Sequence, residues 1–142
     1  MDNDRYEQGL DAYASQFQIP REEVASWFTE RVGERFGNRM ILSAAGIWGD
    51  DELSLRDRSL VVIAALITQG GAETQLRSHT RWAIRHGCTR RELEALAILL
   101  SVSVGGPRAS NGWMAMCEEL AKLEADAEMT SSLTTNTLEE KR

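Results

Sequence analysis

The chain has few cysteines, no excess of basic residues and no long apolar run, and each absence excludes a class of protein. Cys88 and Cys117 lie far apart and form no CxxC pair, so we expect small buried side chains rather than a disulfide or redox centre. The net charge of −6 predicts no nucleic-acid partner, because phosphate binding depends on Lys and Arg. The longest apolar run, residues 60–67, is too short to span a bilayer, and the N-terminal residues lack a signal-peptide pattern. We therefore expect a cytoplasmic protein that does not associate with membranes.

Motifs for nucleotide binding, serine hydrolysis and metal catalysis are also missing. The sequence contains no GxGxxG, P-loop, GxSxG or HExxH pattern. Its two cysteines and two histidines lack the spacing of zinc ligands, so no metal site is predicted. No segment alternates polar and apolar residues, and no hairpin dipeptide separates two strand-like runs. The predicted fold class is therefore all-α.

Apolar positions spaced by three or four residues predict a compact multi-helix domain over residues 1–126. Helices are expected at about 1–18, 20–32, 39–46, 54–69, 72–85, 89–104 and 109–125. Pro20 suits a helix start, Gly70 and Gly71 end a helix, and Thr89 with Glu92 forms a capping box. Residues 127–142 are mostly polar with no apolar period, which predicts a disordered acidic tail.

Two of the predicted helices are apolar beyond a single stripe. One contains the run 60–67 and the other covers residues 93–104. A short β-branched run is also compatible with a buried strand, but the alanines, the N-terminal cap and the length favour a helix. This apolar surface exceeds what one layer of neighbours covers in so small a domain. We therefore expect a homo-oligomer that forms through helix faces.

The polar helix between these two carries both histidines of the chain. Gln75, His79, Trp82 and His86 are spaced by four, three and four residues, so they share one face. Imidazole changes its protonation near neutral pH, which suits it to proton transfer. Histidines on a helix of mixed polarity are also commonly surface or interface residues. His79 is the candidate catalytic residue of this face.

Two arginines are candidates for binding an acidic substrate. Arg58 lies in the first turn of the apolar helix, and Arg81 lies beside the histidine face. A guanidinium group can hold a carboxylate through two hydrogen bonds. The alternative for Arg58 is an ordinary ion pair with a neighbouring acid.

Several motifs, in this order and spacing, resemble the carboxymuconolactone decarboxylase family. They are the block 53–67, the segment 87–93, the segments 6–10 and 47–49, and the patterns His79-x-Arg81-x-Ala83 and Gly105-x-Pro107-x-Ala109. The resemblance covers residues 5–125. It implies an all-helical, alkylhydroperoxidase D-like fold, a trimer or hexamer and no cofactor. It also implies an enzyme of aromatic catabolism, a lyase that removes carbon dioxide from a carboxylated muconolactone to give an enol-lactone.

The resemblance also implies roles for individual residues. His79 would stabilise the developing negative charge or reprotonate carbon, and Glu73 or Gln75 would fix its tautomer. The acidic small-molecule substrate would be bound by Arg58 or Arg81, together with Trp82 and Trp48.

The sequence departs from the family pattern at several positions. Thiol peroxidase relatives carry a CxxC at the positions of Ala72 and Gln75, so this chain lacks their redox pair. Gln75 stands where the decarboxylases commonly have Glu, Trp82 where a small residue is usual, and His86 where the residue is usually Asn-like. The alternatives are therefore a relative with another acidic or cyclic carbonyl substrate, and a helical oligomer that binds a small ligand without catalysis.

Overall fold

A computed structural model describes residues 2–48 and 51–139. These residues form helices α1 (Asp2–Phe17), α2 (Val24–Val32), α3 (Glu34–Ala44), α4 (Leu55–Gln69), α5 (Glu73–Arg85), α6 (Arg90–Ser103) and α7 (Gly106–Glu139), with a 3₁₀ turn at Arg21–Glu23. The described part of the chain contains no strand. The predicted all-α fold class is confirmed.

The chain divides into two compact units, Met1–Leu55 and Arg56–Arg142. The first contains α1 to α3 and the second contains most of α4 together with α5 to α7. The sequence predicted one domain over residues 1–126, and that stays a prediction. Each unit is described by itself.

In the first unit, α1 and α2 both pack against α3. An aromatic cluster fills the space between the helices: the rings of Tyr13 and Phe28 meet edge-on with centroids 4.7 Å apart, and Trp27 meets Phe28 at 5.0 Å. Gly9 brings α1 against the backbone of α3, because a Cβ added at Gly9 would lie 1.9 Å from the carbonyl oxygen of Ile41. Aromatic packing and one close backbone approach therefore hold this unit together.

Helix α3 begins earlier than the sequence predicted. The sequence predicts a start at Arg39, because Gly33 and Gly37 are typical of a loose connection. Of these two glycines, only Gly33 ends a helix, with φ at +82°. Gly37 lies inside α3, where a Cβ would come within 2.7 Å of the Cβ of Phe28. Its small size serves helix packing rather than a turn.

In the second unit, α5 and α6 pack against α7, and α4 adds buried isoleucines. The core of this unit consists of Ile63, Ile67, Leu76, Ala83, Cys88, Leu93, Ala115, Met116 and Leu120. The predicted capping box is present, since Thr89 accepts from the Glu92 backbone N–H and Glu92 accepts from that of Thr89. Gly70 and Gly71 end α4 with φ at +71° and +67°, a left-handed conformation that glycine adopts without strain. The two residues form the turn that separates α4 from α5.

The two apolar helices are less buried than predicted. In α4 the buried residues are Arg58, Ser59, Ile63 and Ile67, while Val61 is 59% exposed. In α6 the exposed residues include Ile98, Leu99 and Val102, at 64%, 64% and 87%. Apolar residues on every side of α4 predict a helix that is buried all round, and this prediction is wrong for the single chain. The reason is that neighbours in the second unit cover only one face of each helix.

The predicted disordered tail is helical as far as the structure describes it. Helix α7 runs without a break to Glu139, and residues 140–142 lie outside the described residues. No Gly or Pro follows Gly112, so nothing in the sequence terminates the helix. Hydroxyl groups such as those of Thr130 and Thr134 donate to carbonyls four residues earlier. Even with α7 included, no helix within residues 2–48 or 51–139 combines the length and hydropathy that crossing a membrane requires.

Candidate functional site

The candidate site lies on one face of α5. Leu76, Thr80 and Ala83 recur at helical spacing and are buried at 2%, 0% and 0% exposure, so they anchor the helix in the core of the second unit. His79 and Trp82 therefore lie together on the neighbouring face. Their rings meet edge-on, with centroids 4.8 Å apart and planes at 86°. The structure thus brings together two of the residues that the sequence singled out.

Burial changes the chemistry of His79. The imidazole is largely removed from water, and desolvation lowers its pKa from 6.5 to about 4, with a smaller contribution from the charge of His86. A neutral imidazole has one N–H donor and one acceptor nitrogen. At neutral pH, His79 is therefore able to donate a hydrogen bond or accept a proton, while its charged, acidic form is scarce.

A second imidazole on this face is held by α4. The Nδ1 atom of His86 lies 2.8 Å from the hydroxyl oxygen of Ser59. Ser59 is 1% exposed, so this hydrogen bond lies away from bulk water. Sequence reasoning did not assign Ser59 a role. The available signal was a single small hydroxyl residue at the start of a strongly apolar helix.

Of the two candidate arginines, Arg58 precedes Ser59 on α4 and Arg81 faces α7. Arg58 is buried at 9% exposure, which is unusual for a charged side chain and requires polar partners. The Nε of Arg81 donates to the carboxylate of Glu119 at 2.8 Å, and Glu119 is 4% exposed. The guanidinium of Arg81 is thus committed to a buried carboxylate on α7. Sequence reasoning missed this partner, which lies 38 residues away along the chain.

The residues proposed to orient His79 lie in the first turn of α5. Glu73 and Gln75 are both exposed, and in the described residues no hydrogen bond joins either of them to His79. Glu73 lines a cleft of ≈ 440 Å³ between the end of α4 and the starts of α5 and α7, which Arg108 and Asn111 also line. Arg108 donates to the carbonyl of Thr68 at 2.6 Å. The assignment of Glu73 or Gln75 as the residue that fixes the His79 tautomer stays a prediction.

Trp48 belongs to the first unit, where it follows α3. Its indole group hydrogen-bonds to the hydroxyl of Tyr13, a group whose pKa is raised by burial and lowered in part by this bond. Gly49, the residue that follows Trp48 in the predicted turn, lies outside the described residues. The assignment of Trp48 to substrate binding stays a prediction.

The two cysteines are free. Cys88 is buried at 4% exposure, and burial raises the pKa of its thiol. Because the thiolate is the reactive form, Cys88 is poorly suited to thiol chemistry. Cys117 is half-buried on α7, with Arg90 as its polar neighbour at 4.0 Å.

Comparison with known protein sequences identifies the class of protein. The chain belongs to the carboxymuconolactone decarboxylase family, whose sequence profile matches residues 36–118. Over 125 residues it is 34% identical to a 4-carboxymuconolactone decarboxylase of Acinetobacter baylyi (strain ATCC 33305 / BD413 / ADP1). The match covers 85% of this chain and 90% of that relative. The family predicted from the sequence motifs is thereby confirmed.

Proposed function

We propose that this protein is a decarboxylase that requires no cofactor and acts on 4-carboxymuconolactone or a closely related acidic cyclic carbonyl compound. Family membership and the name of the similar relative support decarboxylation. The structural observation that carries the proposal is the half-buried, neutral His79 against the ring of Trp82. Such a pair offers one polar group beside an apolar wall, which is what loss of carbon dioxide from a carboxylate needs.

In the proposed reaction the bond between the substrate carboxylate and its carbon breaks. The bonding electron pair stays on carbon and delocalises onto the lactone carbonyl oxygen, and carbon dioxide leaves. The N–H of neutral His79 donates a hydrogen bond to that oxygen as negative charge develops. Donors placed in advance against developing charge are usually the largest single contribution to catalysis. The resulting dienolate takes up a proton at the carbon next to the lactone carbonyl, which leaves the double bond at the carbon that bears the ring oxygen and gives the enol-lactone.

Two further residues bind the substrate in this proposal. Arg58 holds a carboxylate of the substrate, because it is a buried cation in the first turn of α4, the helix whose Ser59 contacts His86. Trp82 covers the reacting carboxylate with an apolar surface, which favours its conversion to uncharged carbon dioxide. Arg81 is left out of the substrate site, because Glu119 already binds its guanidinium.

The test is an ultraviolet assay of 4-carboxymuconolactone consumption with a parallel measurement of carbon dioxide release. His79→Gln keeps the approximate size of the side chain but removes the imidazole. We expect it to lower kcat by about 10²-fold to 10³-fold, the usual effect of losing one donor to a developing oxyanion. Far-ultraviolet circular dichroism should show an unchanged helical fold.

Arg77→Gln is the matched control on the same helix. Arg77 pairs with Glu118 on the exposed side of α5, so its loss should leave kcat within about twofold of the parent protein. Near-normal turnover by His79→Gln would contradict the proposed role of His79. Turnover of another acidic lactone in place of 4-carboxymuconolactone would identify a family relative with a different substrate. Binding of these lactones without release of carbon dioxide would identify a ligand-binding protein.

We also propose that the protein is a homo-oligomer. The exposed apolar side chains of α4 and α6 support this proposal, because monomeric proteins rarely expose contiguous apolar surface of this kind. The trimer or hexamer implied by the family resemblance is the expected assembly.

A further inference from the structure

A cleft in the second unit is separate from the face of α5 that carries His79 and Trp82. It has a volume of ≈ 440 Å³ and lies between the end of α4 and the starts of α5 and α7, and the residues that line it include neither His79 nor Trp82. Sites for small molecules commonly have volumes of about 300 to 1,000 Å³. The cleft is therefore large enough to bind a small molecule of its own.

One wall of the cleft is apolar. Ile67 and Leu76, at 1% and 2% exposure, belong to the core of the unit, and the half-buried Leu66 and Val104 extend the surface that they form. Helix α7 lies directly against this wall, because a Cβ added at Gly112 would lie 2.7 Å from Cγ1 of Ile67. The wall thus offers a short apolar group a surface on which it leaves water.

Arg108 lines the same cleft and is held by the end of α4. Its Nη1 atom donates to the carbonyl oxygens of Thr68 at 2.6 Å and Gln69 at 3.3 Å, and carbonyls in the last turn of a helix lack a partner within the helix. Its Nε and Nη2 atoms lie 3.4 and 3.6 Å from the position that a Cβ would take at Gly70, which also lines the cleft. In the part of the chain that the structure describes, neither of these two atoms has an acceptor.

This arrangement leaves one edge of the Arg108 guanidinium group available. The Nε–H group and one N–H of Nη2 point in the same direction from that edge, and together they can bind a carboxylate through two hydrogen bonds. The hydrogen bonds of Nη1 hold the guanidinium in place before a ligand arrives, so that less side-chain freedom is lost on binding. Arg108 is therefore a preorganised binding group for a carboxylate.

The cleft also carries a negative charge. The exposed Glu73 lines it, but within the described residues no ion pair joins Glu73 to Arg108. A ligand with only a carboxylate would be attracted by Arg108 and repelled by Glu73. A ligand with one positive and one negative group would be attracted by both, so the two unneutralised charges favour a zwitterion.

We propose that this cleft is a binding site for a free α-amino acid with an apolar side chain. The carboxylate of the amino acid binds the Nε–Nη2 edge of Arg108, and its ammonium group binds the carboxylate of Glu73. Its side chain packs against the wall that Ile67 and Leu76 form. The inference goes beyond the decarboxylase function proposed above and does not depend on it, because the residues used in that reaction do not line the cleft.

Isothermal titration calorimetry with three related probes tests each contact. L-leucine carries both charged groups, 4-methylpentanoate lacks the ammonium group, and 3-methylbutylamine lacks the carboxylate. All three have the same branched apolar end. We expect saturable binding of L-leucine by the parent protein. Each of the other two probes should bind at least about tenfold more weakly, because it loses one charge-assisted contact.

Two conservative variants assign the charged groups. Glu73→Gln should weaken the binding of L-leucine by about tenfold and should not weaken that of 4-methylpentanoate, which has no ammonium group. Arg108→Lys should weaken the binding of both acids by about tenfold or more, because an ammonium group cannot form two parallel hydrogen bonds to a carboxylate. Arg91→Lys is the matched control, since Arg91 is exposed on α6 and does not line the cleft. It should bind L-leucine as the parent protein does.

His79→Gln separates the cleft from the candidate active site. This variant should bind L-leucine with unchanged affinity, because His79 does not line the cleft. Circular dichroism verifies that each variant is folded. If Arg108→Lys fails to fold, the two acids titrated into Glu73→Gln decide the proposal, since Glu73 is exposed and its replacement leaves the core intact.

The absence of saturable L-leucine binding by the parent protein would overturn the proposal. Equal weakening of both acids by Glu73→Gln, or unchanged binding by a folded Arg108→Lys variant, would overturn it as well. Loss of binding in His79→Gln would do the same, because the amino acid would then occupy the candidate active site. No titration contains a lactone, so a parent protein that binds L-leucine in this pattern and releases no carbon dioxide would contradict the proposed function alone.

Discussion

The low pKa of His79 links the stability of the folded protein to pH. In the unfolded chain this imidazole takes up a proton near pH 6.5, and in the folded protein only near pH 4. Between these values the unfolded state binds more protons, so the free energy of unfolding falls as the pH is lowered from about 6.5 to about 4. The contribution of His79 to this fall is on the order of 2 to 3 kcal/mol.

Chemical denaturation of the parent protein and of His79→Gln, from pH 7 to pH 4, measures this effect. The difference between the two proteins in unfolding free energy should change across this window, because Gln does not titrate. Carboxylates such as Glu92, whose pKa is lowered mainly by the Thr89 backbone, titrate in both proteins. Their contributions therefore cancel in the difference between the two unfolding free energies. A difference that is flat with pH would show that the imidazole is not desolvated in the folded state.

The ion pair between Arg81 and Glu119 predicts a structural role for Arg81. Arg81→Ala leaves a carboxylate that is 4% exposed without its partner, which should lower the unfolding free energy by about 2 to 3 kcal/mol. Arg77→Ala breaks the more exposed pair with Glu118 and should lower the unfolding free energy by less than about 1 kcal/mol. We expect both variants to keep the kcat/KM of the parent protein. A large loss of kcat/KM in Arg81→Ala at unchanged stability would show that Arg81 binds the substrate.

The arrangement of the site was partly predictable from sequence. The helical spacing of His79 and Trp82 placed them on one face, because that relation depends only on helix geometry. The partners of Arg81 and His86 were not predictable. Both lie on other helices, 38 and 27 residues away, and single-sequence periodicity says nothing about which helices pack together.

At the scale of the elements, the approach of α1 to α3 gives a sharp prediction. A methyl group at Gly9 would lie 1.9 Å from the carbonyl oxygen of Ile41, which is backbone and does not move aside alone. Gly9→Ala should therefore destabilise the protein by about 3 kcal/mol, the upper part of the range for overpacking, and should weaken the near-ultraviolet dichroism of the aromatic cluster. Gly106→Ala is the control, because nothing lies within 4 Å of its added Cβ. Equal stability of the two variants would contradict the close approach.

The limits of the helices were predicted well where the sequence contains capping residues or consecutive glycines. The capping box of Thr89 and Glu92 sets the start of α6, and the left-handed pair Gly70–Gly71 sets the end of α4. Both are local effects. The start of α3 was not predictable, because a glycine in a sequence indicates a flexible connection as readily as a close contact, and Gly37 makes room for Phe28. The end of α7 was missed because polar composition alone does not stop a helix that meets neither Gly nor Pro.

At the scale of the whole molecule, the exposed apolar residues of α6 predict the oligomer. Val102 is 87% exposed, and a charge placed there would be desolvated if a second copy covered it. Val102→Glu should shift the protein to a smaller species in sedimentation velocity, with its helical content retained. Leu133→Glu is the matched control, since Leu133 is 63% exposed on α7 beyond the packed core. An unchanged sedimentation coefficient for Val102→Glu would show that this face of α6 lies outside the interface.

The contact between His79 and Trp82 has an optical consequence. A protonated imidazole quenches the fluorescence of an indole beside it, and these two rings are 4.8 Å apart. The chain has four tryptophans, and replacing Trp27, Trp48 and Trp113 by Phe would leave Trp82 as the only tryptophan. Its emission would then follow the charge on His79 and the arrival of a ligand without any added dye. Trp82 thus also gives the site an intrinsic spectroscopic reporter.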